Sequence, residues 1–174
     1  MGRACSPFSL NSIHLNMSKI AIFPGTFDPF TNGHHDIVLK GLSIFDEIII
    51  AIGVNSLKKR MFPLEKRIEW IANVFADEVR VKVMSYSGLT IDFCKEQNAN
   101  FILRGLRTIT DFEYEKQIAF VNAEMNSTVQ SVFIMSEQKH SVVSSSIVRD
   151  VILHKGEYAQ FIPAEVRVEE ALPE

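Results

Sequence analysis

Seven basic side chains in this chain are candidates for one kind of chemistry: His34, Lys58, Lys59, Arg60, Arg104, Arg107 and Arg149. They sit in or beside turns rich in glycine, serine and proline. These turns are "FPGTFDPFTNGHHDIV" at 23–38, "NSLKKR" at 55–60, "SYSGLT" at 85–90, "RGLR" at 104–107 and "SEQKHSVVSSS" at 136–146. Guanidinium forks and ammonium groups bind phosphate oxygens, and glycine lets backbone approach a ligand with no Cβ between them. Gly25 and Gly33 are candidates for that use. The chain as a whole is acidic, with 18 Lys and Arg against 21 Asp and Glu. A cationic cluster on an anionic protein marks a local anion site, not a general nucleic-acid face. A polyphosphate fits this inventory. Neither GxGxxG nor the Walker pattern occurs, which excludes the usual dinucleotide and P-loop cradles.

Such turns need elements to hold them, and the hydrophobic pattern supplies a regular set. "KIAIF" before Pro24, "EIIIAIGV" at 47–54, "NFILRG" at 100–105 and "SVFIM" at 131–135 are short apolar runs of buried-strand type. "VRVKVMSY" at 79–86 alternates and reads as a half-exposed edge strand. Between them lie helical segments. One runs from Gly33 to Phe45 with Thr31 or Asn32 as cap, and one is opened by Pro63, with Leu64, Ile68, Ile71 and Phe75 on one face. A short one spans 89–97, and another is capped by Asp111, with Tyr114, Ile118, Val121 and Met125 in the same spacing. The helix from Ser144 to Leu153 is led by three serines, and Pro163 opens a last polar helix. Strand and helix alternate five times, which predicts a single α/β, doubly wound domain with a five-stranded parallel sheet. Every basic or serine-rich turn then falls at the carboxyl edge of a strand, where open α/β sheets bind ligands. The opposite edge carries only terse connections such as "FDE", "ADE" and "QNA".

The rest of the chain narrows the class. Hydrophobic residues make up 47% and charged residues 22%, an ordinary globular balance for one domain. No run of eighteen apolar residues occurs, so no membrane partner is expected. Cys5 and Cys94 form no CxxC, so neither a disulfide framework nor a zinc site is indicated, and a reducing cytoplasm fits. Residues 1–16 lack period and any secretory pattern, and Met17 stands just before the first strand. They read as a disordered extension, with the domain over 17–174.

Thr31-Asn32-Gly33-His34 resembles the T/HxGH signature of the nucleotidylyltransferase superfamily, and "SSSIVR" at 144–149 resembles its second signature. "ILRGLRTITDFEYE" at 102–115, with "PGTFDP" and "SSS" at these separations, resembles the bacterial phosphopantetheine adenylyltransferases from about residue 18 to 165. The resemblance implies a Rossmann-like fold, a homo-hexamer, Mg²⁺, and reversible adenylyl transfer from ATP to 4′-phosphopantetheine. The products are dephospho-coenzyme A and pyrophosphate. Other nucleotidylyltransferases, making cytidylyl or nicotinamide products, share the first motif, but the RGLR…DFEYE block speaks against them. A nucleotide-binding regulator without catalysis is the alternative of another class, and it has no use for a second anion site.

The same resemblance assigns residues. His34 is the catalytic group at the α-phosphate. ATP is met by Thr26, Phe27, Gly105, Leu106, Arg107, Glu115, the turn His140, Ser141, Val142 and Val143, and Ser144, Ser145 and Ser146. The acceptor is met by Thr26, Lys58, Thr90 and Arg104, with Arg104 on its phosphate. No residue is assigned to hold a metal. His140 departs from the family pattern, which often has an aromatic residue beside adenine. His35 lies about 100° round the helix from His34 and reads as surface. Arg149 divides between the phosphate site and a surface ion pair. Deleting residues 1–16 is expected to leave turnover and melting temperature unchanged. A large loss of either, by enzyme assay and thermal melting, would show that the extension packs on the fold.

Overall fold

The run Ile20–Phe23 is apolar without alternation because the strand it forms is covered on both faces. In the computed structural model, which describes residues 18–54 and 60–172, Ala21, Ile22, Phe23 and Pro24 are all buried. Residues 1–17, Lys58 and Lys59 lie outside the described residues. The chain runs β1 (Ile20–Gly25), α1 (Asn32–Gly41), β2 (Glu47–Gly53), α2 (Leu64–Val74) and β3 (Val81–Tyr86). It continues through α3 (Thr90–Glu96), β4 (Phe101–Leu106), α4 (Ile109–Met125), β5 (Gln130–Met135) and α5 (Ser145–Leu153). The five strands pair in parallel in the order β3-β2-β1-β4-β5. This is the doubly wound sheet the sequence predicts.

Alternation inside the buried strands divides the core in two. Ile48, Ile50 and Ile52 of β2 join Ala21 and Phe23 in a cluster closed by α1, α2 and α5. Ile49 and Ala51 join Ile22 on the other face, with Ile91, Phe93 and Cys94 of α3. Cys94 is the small buried helix residue expected, and burial pushes its thiol up to about 11. The edge strand β3 is half-buried, as its alternating pattern requires.

Several local expectations are corrected. α1 ends at Gly41, and the chain then turns so that Leu42 and Phe45 enter the core. The α2 stripe Leu64, Ile68, Ile71 and Phe75 does pack on the core, and the buried face widens beyond it to include Arg67 and Trp70. Thr108, not Asp111, caps α4, and Asp111 closes the capping box from the third helical position. α4 contributes no buried residue: Tyr114, Val121 and Met125 are 65%, 59% and 47% exposed. Among the described residues no α-helix follows Pro163. Two short 3-10 turns, Ala159–Phe161 and Val168–Ala171, flank it. Tyr158, Phe161 and Val168 dock there on the core, which holds the tail without a regular helix.

Candidate active site

From β1 the chain winds outward through β2 to β3, then crosses back to lay β4 against the other side of β1. Connections leaving β1 and β4 therefore diverge, and a crevice opens at their carboxyl ends. It has two arms. One, of about 680 Å³, reaches Gly53, Tyr86 and Thr90. The other, of about 400 Å³, lies among β1, α1, β4 and the start of α5. Thr26, Arg104 and Glu115 line both, so the arms meet there.

His34 stands in the smaller arm. Thr31 caps α1 and His34 is the third helical residue, so the pair forms a capping box. The Thr31 N–H donates to His34 Nδ1 at 3.0 Å, and the Thr31 hydroxyl lies 3.1 Å from the same atom. A ring nitrogen that accepts a backbone N–H carries no proton, so the neutral imidazole holds its hydrogen on Nε2. Phe27 and Phe30 flank the ring at 5.1 and 5.4 Å between centroids. This burial, with the charges of Arg107 and Arg104, lowers the His34 pKa to about 3. The side chain is thus a neutral N–H donor fixed at a helix start. Its folded pKa lies below the unfolded value of 6.5, so its contribution to stability is present above pH 6.5 and is lost as pH falls toward 3.

Arg104 projects from β4 across the junction. Its Nη1 donates to the Pro24 carbonyl at 2.8 Å, and its Nε donates to Glu115 at 2.7 Å. A second bond joins Nη2 to Glu115, making the pair bidentate. Arg107 is held the same way: Nε and Nη2 each meet Asp111 at 3.2 Å, while Nη1 donates to the Val143 carbonyl at 3.2 Å. The two arginines are set before any ligand arrives, each by a carboxylate from α4.

The serines at α5 divide their work. Ser144 caps the helix, accepting the Ile147 N–H at 3.2 Å. Ser145 Oγ donates to the Pro29 carbonyl at 2.8 Å, and Ser146 Oγ accepts from Arg149 at 3.2 Å. Ser144 and Ser146 only accept in these bonds, so their hydroxyl hydrogens join the backbone N–H groups of the first turn as the phosphate donors this helix start offers. Gly25, which lines both arms, has a packing reason as well, since a Cβ there would come within 2.6 Å of the Phe27 ring. Gly105 likewise leaves room for Ile37, which a Cβ would meet at 2.8 Å.

Of the residues singled out in the sequence, Thr26, Phe27, His34, Arg104, Gly105, Arg107, Glu115, Val143, Ser144, Ser145 and Ser146 line the smaller arm. Thr90 lines the larger one and bonds Tyr86 at 2.8 Å. Leu106 is buried and lines neither arm. His140 stands beside Gly33, where a Cβ would lie 3.6 Å from it. Ser141 is tied back to the Gln138 carbonyl, and Val142 is 72% exposed. Lys58 lies outside the described residues. Arg149 joins the turn rather than the cavity: its Nη1 donates to the Asp28 carbonyl at 2.5 Å. His35 is half-buried, not on the surface, with its ring 5.3 Å from that of Phe75.

Two residues escaped the sequence reading. Asp28, 2% exposed, accepts the N–H groups of Met61 and Phe62 at 3.0 and 2.9 Å. Arg67, 5% exposed, donates to the Phe62 and Thr26 carbonyls at 3.1 and 2.6 Å. The available signal was a charge at 67, three and four residues before the apolar Trp70 and Ile71 on one helix face.

Known proteins resemble this chain at every level. A family model described as Cytidylyltransferase-like matches residues 22–151. A phosphopantetheine adenylyltransferase of Flavobacterium johnsoniae is 55% identical over 148 residues, covering 85% of this chain and 97% of the relative. One from Bacteroides thetaiotaomicron is 49% identical over 143 residues, covering 82% and 94%. Among solved structures, a bifunctional NMN adenylyltransferase/ADP ribose pyrophosphatase from Francisella tularensis superposes with a TM-score of 0.65 at 16% identity. The match covers 84% of this chain and 45% of that one, and it speaks for the fold alone.

Proposed function

The chain belongs to the phosphopantetheine adenylyltransferases, within the cytidylyltransferase-like family, and we infer from this membership the work of each arm of the crevice. The enzyme transfers the adenylyl group of ATP to 4′-phosphopantetheine, reversibly, giving dephospho-coenzyme A and pyrophosphate in coenzyme A biosynthesis. The observation that carries the assignment of the arms is their meeting at Thr26 and Arg104. Two anionic substrates can therefore lie end to end with their phosphates in contact.

ATP occupies the arm of His34, Arg107 and Ser144, and phosphopantetheine the arm of Thr90. A phosphate oxygen of the acceptor attacks the α-phosphorus, and the bond from that phosphorus to the β-phosphate bridging oxygen breaks. Pyrophosphate leaves with the electron pair. The attacking oxygen is already anionic, so no group has to remove a proton. Positioning and charge stabilisation carry the rate: His34 donates Nε2–H to the α-phosphate, and the N–H groups at the start of α5 hold the triphosphate.

Among the described residues no cluster of three His, Cys, Asp or Glu exists that would cage a metal. Magnesium therefore fits as the counterion of the nucleotide, entering as part of that substrate and neutralising its phosphates. The exposed apolar residues of α4, with Ile109 and Phe120 82% and 65% exposed, offer a surface for association between chains, and the homo-hexamer is the form the family resemblance implies. No helix among the described residues is long and apolar enough to cross a membrane, which accords with the cytoplasm as its place of work.

The test is pyrophosphate release from ATP with 4′-phosphopantetheine, against nicotinamide mononucleotide and against no acceptor. Release is expected with phosphopantetheine alone. Equal release with nicotinamide mononucleotide would remove the acceptor assignment. Light scattering of the same sample should give the mass of six chains, and a monomer mass would remove the hexamer.

A further inference from the structure

Three carbonyls at the end of β1 and in the turn after it, at alternate residues, each accept a hydrogen bond from an arginine of a different element. Pro24 takes Arg104 at 2.8 Å, Thr26 takes Arg67 at 2.6 Å, and Asp28 takes Arg149 at 2.5 Å. In a trans peptide the carbonyl of one residue and the N–H of the next point in opposite directions. Pinning a carbonyl therefore aims an N–H. After Pro24 that N–H belongs to Gly25, which lies within β1. After Asp28 comes Pro29, which has none. After Thr26 it belongs to Phe27, and among the described residues this N–H has no hydrogen-bond partner.

Arg67 lines neither arm of the crevice, whereas Thr26 and Phe27 line the arm that holds His34. The carbonyl thus faces the buried guanidinium, and the N–H points the opposite way, in a peptide whose two residues both line that arm. Phe27 has φ 46°, a left-handed conformation that a bulky residue adopts only when its surroundings impose it. Arg67 itself is a buried cation with two carbonyl acceptors; the buried Asp28 carboxylate favours its charge from beyond ion-pair distance, and burial still outweighs it. A charge placed so is costly, and a purely apolar side chain of α2 would fill the same core.

We propose that Arg67 is a positioning residue for adenylyl transfer, holding and polarising the Thr26–Phe27 peptide so that the Phe27 N–H donates to the reacting phosphate. It touches no substrate. A cation at the carbonyl end of a peptide strengthens the donor at the other end, and the fork is required because Nε must reach Phe62 while Nη1 reaches Thr26. This inference rests on adenylyl transfer taking place in this crevice.

The experiment compares the full chain with its Arg67→Met and Arg67→Lys variants, counting ATP-binding sites by calorimetry so that turnover is expressed per folded site. Wild-type turnover of ATP with 4′-phosphopantetheine is measured first, and its absence would overturn the reading of the site rather than the role of Arg67. With wild-type active, Arg67→Met is expected to lower kcat per site by about 10- to 100-fold, somewhat less than outright removal of an oxyanion donor. Dissociation constants for both substrates should stay within about threefold, because the donor acts when charge develops. Arg67→Lys, which keeps the cation but not the fork, should recover only part of the rate. Unchanged kcat per site, or a loss confined to substrate affinity, overturns the proposal. Should Arg67→Met fail to fold, Arg67→Lys decides by the same split, and failure of both to fold assigns the arginine to the fold and overturns the proposal.

Discussion

Arg104→Ala is expected to weaken 4′-phosphopantetheine binding by about 30- to 100-fold while ATP binding falls by only about threefold, in calorimetric titrations of each substrate alone. The size follows from removing a charged donor to phosphate, roughly 2–3 kcal/mol. Arg104 is also the partner of Glu115, so alanine leaves a poorly exposed carboxylate unpaired where the two arms meet. That anion repels either substrate, and it is a second reason for lost affinity. The double variant Arg104→Ala with Glu115→Gln separates the two. If Arg104 serves only to neutralise Glu115, the double variant regains phosphopantetheine affinity. If Arg104 holds the acceptor phosphate itself, affinity stays low. Equal losses for both substrates in Arg104→Ala would show that this arginine belongs to a different anion.

The site was most legible where backbone and chemistry coincide. Thr31 and His34 stand three apart at a helix start, and that spacing both caps α1 and fixes an imidazole in the crevice, so motif and geometry carry one message. Buried strands such as Glu47–Gly53 were equally plain, because a strand covered on both faces is apolar at every position. What stayed hidden depends on partners distant in the chain. Arg67 reads as an ordinary surface charge in "LEKRIEW" until Thr26, 41 residues away, is seen to need a donor. Asp111 has a cap residue's chemistry, but the helix begins earlier at Thr108, and its carboxylate is spent on Arg107 as well as on the capping box. The α4 stripe misled for another reason. Its spacing is that of a face meant to be covered, but among the described residues Ile118 is only half-buried and Tyr114, Val121 and Met125 stay exposed. Spacing tells that a face is apolar, not which molecule lies on it.

His35 was misjudged because its neighbour is Phe75, beyond the next strand. The correction changes what its substitution should do, and it sharpens the remaining prediction. His34→Ala is expected to lower kcat by about 10² to 10³, the usual loss for a positioned donor to developing charge. ATP affinity should fall far less, since such a donor acts mainly in the transition state. Because the imidazole is neutral, held near pKa 3 by burial and by two arginines, its proton is donated as a hydrogen bond and is not transferred. The wild-type rate should therefore show no step from His34 between about pH 5 and 8. His34→Gln, whose amide N–H can stand near Nε2, should recover part of the rate, which loss of a true acid would not allow. His35→Ala gives the control. It removes a half-buried contact with Phe75 and should cost about 1 kcal/mol in melting experiments, with kcat within twofold. Steady-state kinetics with circular dichroism on these variants distinguish a donor from a packing group. Normal turnover in His34→Ala, or a damaging His35→Ala, would mean that the turn after β1 is only a connection between strand and helix.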